Sequence, residues 1–356
     1  MNQRKVAITG ITGQIGSYLA EDILENTNDI VYGLIRRSSS INTKRIDSLY
    51  KKYNGTRLFL IYGDMTDPLS IEEFVKKSDP DLFFNLAAQS HVKVSFEIPV
   101  YTANCDALGE LYVLESLHKH KPNCKLYQAS TSELFGGQLI EMPPNGFSET
   151  TPFHPRSPYG VAKLYAYWIT KNYRESYGFH ACNGILFNTE SSRRGDTFVT
   201  KKITNYVFDN LIKCFNDDSE TITPLQLGNL NAVRDWNHAK DSVKAIRMVL
   251  EQPKAEDWVI GSGITTSVKK FIELAVNIQY KKLFVVNKNI IVEWRGEGLN
   301  ETGWINNKLF VETNKKYYRP AEVDFLKANP EKIKSIGWVP EYNINQTIEE
   351  MLSTID

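Results

Sequence analysis

The sequence lacks the marks of several protein classes. No apolar run approaches the roughly 20 residues that a membrane-spanning helix needs, so no span is expected. Neither sign of charge dominates: 42 Lys and Arg face 42 Asp and Glu. Bulk charge therefore points neither to a nucleic-acid partner nor to a polybasic membrane surface. Cysteine is sparse, and Cys105, Cys124, Cys182 and Cys214 form no CxxC pair. They read as reduced thiols rather than a zinc or disulfide framework. The histidines (His91, His118, His120, His154, His180 and His238) show no ligand spacing, so no metal is expected. The opening MNQRKVAITG enters an apolar strand at once with no signal-peptide pattern, which predicts a cytoplasmic protein.

What is present is ordinary in bulk and regular in pattern. The composition is 42% hydrophobic and 24% charged, as in soluble globular proteins. A chain of 356 residues has room for one large α/β domain with an appended lobe, or for two small domains. Short apolar runs at Lys5 to Thr9, Ile30 to Ile35, Leu58 to Tyr62, Leu82 to Leu86, Lys125 to Ala129 and Cys182 to Leu186 predict strands. Helical spacing separates them at Ser17 to Glu25, Ile71 to Lys77, Ala103 to His118 and Tyr159 to Tyr177. Alternation of this kind predicts a doubly wound parallel sheet, helices on both faces. After about residue 190 the rhythm breaks, and Thr223 to Gly228 and Ile290 to Arg295 read as isolated strands. The expected division is a nucleotide-binding domain over 1–190, with return segments near 228–262. A smaller, interleaved substrate lobe would occupy most of 191–356.

The first strand runs directly into Gly10-Ile11-Thr12-Gly13-Gln14-Ile15-Gly16. In this place the three glycines allow a tight turn, a close backbone approach to a pyrophosphate, and helix-on-strand packing. The following helix N-terminus offers free N–H groups and a positive dipole end. The pattern is that of a Rossmann dinucleotide site. An NAD site usually has an acid at the end of the second strand. Here that place reads Arg36-Arg37-Ser38, which suits the 2′-phosphate of NADP. Asp64 and Met65 after the third strand, and Leu86, Ala87 and Ala88 after the fourth, complete the expected cofactor contacts.

Tyr159 and Lys163 are four residues apart, hence on one face of a helix. A nearby ammonium and a nicotinamide cation would stabilise the phenolate and lower its pKa from about 10. The fifth strand ends in Ser130-Thr131-Ser132-Glu133. Thr131 would donate a hydrogen bond to a reacting oxygen. Glu133 is surplus to hydride transfer, but a carboxylate there is what elimination of water requires. The alternative reading of Glu133 is an acid at a helix start.

Beyond these motifs, long stretches such as NLAAQSHVKVSFEIPVYTA, YQASTSELFG, TTPFHPRSPYGVAKLYAYWITKNYRESYGFHACNGILFN, RRGDTFVTKKI, LGNLNAVRDWNHAKD and YYRPAEVD resemble the extended short-chain dehydrogenase/reductase superfamily. Within it the closest resemblance is to GDP-mannose 4,6-dehydratases. The resemblance implies catalysis by Thr131, Glu133, Tyr159 and Lys163, with NADP as a recycled hydride carrier. It implies contacts to a GDP-sugar from Ser90, Asn188, Lys202, Arg234, Arg319 and Glu322. It also implies a homodimer or homotetramer, in which the RRSSSINT loop reaches a neighbouring site. Three departures stand out: Ile15 where the family commonly has an acid, Thr189 and Ser192 where it has His and Pro, and Gly160 where Ala is usual. Those at Thr189 and Ser192 border the sugar pocket, which keeps a GDP-manno-heptose as an alternative substrate. A nucleotide-sugar 4-reductase or 4-dehydrogenase is the alternative activity.

Overall fold

Apolar residues that recur in short runs can be buried on both sides of a sheet, and the computed structural model shows them so. It describes residues 3–137, 143–216, 222–318 and 321–353. The first strands are β1 (Lys5–Thr9), β2 (Ile30–Ile35), β3 (Leu58–Tyr62), β4 (Leu82–Asn85), β5 (Lys125–Thr131) and β6 (Ala181–Leu186). There follow β7 (Asn188–Glu190), β8 (Leu225–Leu227), β9 (Val233–His238), β10 (Asp257–Ile260) and β11 (Thr265–Ser267). The last are β12 (Glu293–Arg295), β13 (Thr302–Ile305) and β14 (Lys308–Thr313). The main sheet has the order β10-β6-β5-β4-β1-β2-β3 and is parallel throughout. Strands β4, β6 and β10 are buried at every position, because helices cover both faces.

One face packs the Gln14–Asn26 and Ala239–Leu250 helices through Leu19, Ile23, Val243 and Ile246 against Val6 and Ile8. The other packs the Pro68–Ser78 and Gly109–His120 helices through Ile71, Phe74, Val113 and Leu117 against Ala7, Phe83 and Leu126. A separate core, with Ile203, Trp236, Phe271, Phe310 and Met351, lies under the β12-β13-β14-β8 sheet and the helices around it. The β11-β9-β7 sheet joins the two parts.

Several element boundaries differ from the sequence reading for local reasons. The Pro68–Ser78 helix starts earlier than its apolar spacing, because Asp67 caps it from Leu69 N and Pro68 suits the first turn. The helix read from Ala103 to His118 is interrupted by a π turn at Asn104–Leu108. Strand β5 extends to Thr131 and carries Ser130 and Thr131 to the carboxyl edge of the sheet. The strand read at Thr223 to Gly228 shrinks to β8, and that at Ile290 to Arg295 to β12.

Strand β10 closes the sheet beside β6 through one buried carboxylate. Asp257 takes a two-pronged pair from Arg174 at 2.9 and 3.0 Å, with Tyr167 Oη at 2.9 Å and Asn183 Nδ2 at 3.0 Å. Burial pushes this carboxyl up, but its partners outweigh burial and hold it below the usual carboxylate range. Breaking a buried pair of this kind strands a charge, at a cost of about 3–5 kcal/mol. Among the described residues no helix is long and apolar enough to cross a membrane.

Candidate active site

The chain order reverses between β1 and β4, and ligands of such sheets bind where the strand ends diverge. A cavity of about 970 Å³ opens there. Its floor is the glycine loop. Gly10 has φ +68°, and a Cβ on it would lie 2.8 Å from Ala87 N and 2.9 Å from the Leu86 carbonyl carbon. A Cβ on Gly16 would lie 2.2 Å from Gly10 O and 2.8 Å from Ile11 Cα, so neither position admits a side chain. The Gln14–Asn26 helix begins behind them with no side-chain cap and no acid in its first turn. Its leading N–H groups and positive dipole end thus remain available to an anion. Thr12, Gly13, Gln14 and Ile15 line the same cavity.

The strand ends supply the walls. Arg36 lines the cavity and donates to Tyr101 Oη at 3.0 Å, whereas Arg37 and Ser38 are exposed and stand outside its lining. Asp64 and Met65 line it after β3, and Leu86, Ala87 and Ala88 after β4. Asp64 Oδ1 already accepts from Thr66 N and Oγ1, at 2.9 and 2.8 Å. These residues leave a cradle of bare backbone, an anion-accepting helix end and a basic rim. That is the donor set a dinucleotide phosphate chain fits.

Thr131, Glu133, Tyr159 and Lys163 converge on this cavity and are all buried. Ser157 caps the Pro158–Tyr177 helix from Gly160 N at 3.0 Å, which puts Tyr159 in its first turn and Lys163 one turn later. Lys163 Nζ donates to Ala129 O at 3.1 Å. Thr131 Oγ1 accepts from Glu133 N at 3.3 Å and is hydrogen-bonded to the Tyr159 phenol. Burial pushes the phenol above its ordinary pKa, and the charges of Asp106 and Glu133 add to this. The Thr131 hydrogen bond and Arg194 act the other way. A phenol so placed keeps its proton until more positive charge arrives beside it. Gly160 leaves room that a side chain would take, since a Cβ there would lie 3.2 Å from Glu133 O.

The roof belongs to the second core. Ser90, Asn188, Lys202, Arg234 and Glu322 line the cavity, and Arg319 lies outside the described residues. Arg234 is buried and donates to Val233 O at 2.9 Å and to Val323 O at 2.5 Å. Sequence reading missed Lys93, Arg194 and Tyr317. Lys93 Nζ and Lys202 Nζ lie 5.3 and 4.8 Å from the centre of the same Tyr317 ring, drawing two cations to one side of the cavity. Arg194 packs 3.7 Å from the Phe198 ring centre and 3.2 Å from Glu190, while its neighbour Arg193 turns away to Glu21 at 2.7 Å. The residue pair gives no sign in sequence of which arginine faces inward. The glycine loop and the loop after β7 meet in space. Gln14, next to Ile15, donates to Thr189 O and accepts from Ser191 Oγ, both at 2.8 Å. Ser192 is tied through N and Oγ to Glu350, at 3.2 and 2.8 Å.

A profile of the GDP-mannose 4,6 dehydratase family matches residues 7–351. The chain belongs to that family. The GDP-mannose 4,6-dehydratase of Yersinia enterocolitica is 46% identical, over 98% of this chain and 93% of that protein. GDP-mannose 4,6 dehydratase 2 of Caenorhabditis elegans is 46% identical over 99% of this chain and 89% of its own. Among solved structures, a Thermus thermophilus UDP-glucose 4-epimerase complexed with NAD superposes with a TM-score of 0.77 at 21% identity, over 98% of both chains. A Bacillus anthracis dTDP-glucose 4,6-dehydratase in complex with NAD does so at 0.75 and 20% identity, over 98% of this chain and 95% of that one. These structures show the shared fold, and the family membership makes the chain a nucleotide-sugar 4,6-dehydratase.

The glycine loop yields a direct prediction. Gly16→Ala forces a methyl group into the Gly10 carbonyl and should weaken dinucleotide binding by at least about tenfold, or roughly 1.4 kcal/mol. Fluorescence titration with NADP measures it. A variant that binds like the unaltered chain would show that the loop is not the cradle.

Proposed function

We propose that the protein removes water from GDP-mannose to give GDP-4-keto-6-deoxymannose, with NADP retained between turnovers. The observation that carries the reading is Glu133, a third proton-handling group in one cavity with Tyr159 and Lys163. Oxidation or reduction at a sugar carbon needs only the phenol, the ammonium and the Thr131 hydroxyl. Elimination needs one more base. Tyr159 takes the proton of the sugar 4-hydroxyl, and Thr131 steadies that oxygen. Lys163 holds the nicotinamide ribose and favours the phenolate. Once C4 is a ketone, the C5 proton is acid enough for Glu133 to remove. Glu133 then passes it to the 6-hydroxyl, which leaves as water. Bound NADP would supply the reversible hydride chemistry, from C4 and back to C6, that keeps the cycle redox-neutral. The proton held by Tyr159 balances the one that C5 must regain. Ser90, Asn188, Lys202, Arg234, Arg319 and Glu322 are proposed to hold the GDP-sugar, joined by Lys93 and Tyr317. The charges of Lys202 and Arg234 suit a diphosphate.

NADP rather than NAD is supported by the end of β2, which is followed by Arg36-Arg37-Ser38 with no acid. Arg36 already faces the cavity. We also read the protein as a homo-oligomer, dimer or tetramer. Val161, Tyr165 and Trp168 form an apolar stripe at helical spacing on the outer side of the Pro158–Tyr177 helix. They are 56%, 41% and 51% exposed, a stretch of surface that a second copy would cover. A cytoplasmic setting is supported by the four cysteines, all buried and unpaired.

Four outcomes test these readings. Incubation with GDP-mannose and no added reductant should give a product lighter by one water, seen by mass spectrometry. Loss of water from GDP-manno-heptose alone would reassign the sugar, and an NADPH-dependent change in a 4-keto sugar would favour the reductase reading. Glu133→Gln should lower this turnover by about 10²–10⁴-fold while cofactor binding persists; unchanged turnover would remove Glu133 from the mechanism. Titration should show tighter binding of NADP than of NAD, and equal affinities would mean that Arg36 and Arg37 read no 2′-phosphate. Light scattering should give at least a dimer that Trp168→Glu weakens, and a monomeric unaltered chain would refute the stripe as an interface.

A further inference from the structure

The Gly109–His120 helix carries a carboxyl group that the mechanism leaves unused. Glu110 is 0% exposed, in the layer between the sheet and the catalytic helix. Its Oε2 accepts from Asn85 Nδ2 at 2.6 Å, and its Oε1 lies 2.8 Å from Thr170 Oγ1. Asn85 ends β4 at the divergence of the sheet. Thr170 stands two turns beyond Lys163 on the same helix, hence on the same face. One carboxyl group therefore ties the helix of Tyr159 and Lys163 to the strand end whose next residues touch the glycine loop.

The hydrogen bonds around it favour the protonated form. The Thr9 hydroxyl accepts from Leu86 N and Ala87 N, both at 3.1 Å. With its lone pairs taken, its own proton goes to Asn85 Oδ1 at 2.5 Å. That orients the Asn85 amide, and both its N–H groups are then used, one on Glu110 Oε2 and one on Gln128 Oε1 at 2.9 Å. At the other end, the Thr170 hydroxyl has one proton and two oxygens at 2.8 Å, Ala166 O and Glu110 Oε1. The backbone carbonyl can only accept. An ionised Glu110 must share the single Thr170 proton with Ala166 O, whereas a protonated Glu110 can donate from Oε1 to Thr170 and leave that proton to Ala166 O. Burial agrees: desolvation lifts this carboxyl to about 7, against the hydrogen bonds of Thr170 and Asn85 and the charge of Lys163. Lys163 is the charged group facing it from the catalytic helix, and Asp106 stands one turn earlier on its own side. The strands present the neutral amides of Asn85 and Gln128, and the adjacent Pro68–Ser78 helix buries Ile71, Phe74 and Val75.

We propose that Glu110 works as a neutral acid, a positioning residue that pins the Lys163 helix to the cofactor crevice and releases it when ionised. Ionisation leaves Thr170 one proton for two acceptors and puts a bare charge in the layer. The crevice then loses the brace between β4 and the catalytic helix. The proposal rests on the reading above only for its turnover assay, since cofactor binding and melting are measured without the sugar.

The deciding variant is Glu110→Gln. Its carbonyl accepts from Asn85 and its amide donates to Thr170, which copies the protonated acid without a titrating proton. Cofactor affinity, kcat and melting temperature would be followed from about pH 4 to 9 in the unaltered chain, Glu110→Gln and Glu110→Ala. Because the folded carboxyl binds its proton more tightly than the unfolded one, its stabilisation is complete in acid and is lost as pH rises through about 7. Glu110→Gln should match the unaltered chain at the acid end. Toward alkaline pH it should keep the affinity and melting temperature that the unaltered chain loses, with a several-fold difference in affinity. Glu110→Ala should be weaker at every pH. Two results would overturn the proposal: Glu110→Gln as weak as Glu110→Ala throughout, or identical pH profiles for Glu110→Gln and the unaltered chain. If the binding pattern holds but no protein dehydrates GDP-mannose, the proposed function fails and the role of Glu110 stands.

Discussion

The cofactor crevice exists because β1 and β4 send their chains in opposite directions while their ends stay pinned together. Thr9 and Asn85 make the pin, at 2.5 Å, and the bare backbone of Gly10 against Ala87 sets the spacing. Every functional element is referred to this point. The glycine loop leaves from β1, the Leu86–Ala88 wall leaves from β4, and β5 beside it delivers Thr131 and Glu133. The catalytic helix reaches the same point through Lys163 on Ala129 O and through Thr170 on Glu110. A polar chain in a dry layer is costly unless its members are paired, and here the run of hydrogen bonds from Thr9 through Asn85 and Glu110 to Thr170 aligns the site.

The same economy explains which features could be read from sequence. The parallel sheet was legible because strands buried on both faces leave unbroken apolar runs, as in LFFN of β4 and ACNGIL of β6. The glycine loop and the Tyr159–Lys163 pair were legible because their geometry is local, a turn and one helical repeat. The π turn at Asn104–Leu108 was not legible. It keeps the apolar spacing of the helices on either side, and only contacts from Gln89 and Lys163 mark the place. Lys93, Arg194 and Tyr317 were hidden for another reason. Whether a cation faces the cavity depends on rings and carboxylates contributed from elsewhere, such as Phe198 for Arg194 and Glu21 for Arg193. Arg37 and Ser38 show the converse, since composition pointed to them and the fold leaves them in solvent.

The lobe is anchored at the loop that follows β7. Glu350, near the end of the chain, accepts from Ser192 and from Tyr18, and pairs with His238 at 3.0 Å. Burial raises that carboxyl, yet His238 and the Ser192 donors outweigh it and hold it near 2. A serine with a free N–H can make this double contact, and a proline could not supply the N–H. The loop after β7 is thereby fixed from its outer side by the last helix. Gln14 and Thr189 fix it from the cofactor side. The loop is thus held by contacts from three parts of the chain.

The charge balance beneath the phenol gives the neutral state of Glu110 its meaning. In the proposed mechanism Tyr159 gives up its proton in a buried place, and Asp106 and Glu133 both oppose this. Arg194 helps from the far side, and Lys163 is the ammonium one turn along the same helix. Asp106, itself pushed up by burial, already draws on the Lys163 charge. A second ionised carboxylate at Glu110 would draw on it again, from a fully dry position where charge acts over longer distances. Held as an acid, Glu110 supplies the same hydrogen bonds while leaving the positive charge of Lys163 to the phenol. The brace and the base then make no competing demand on one ammonium group.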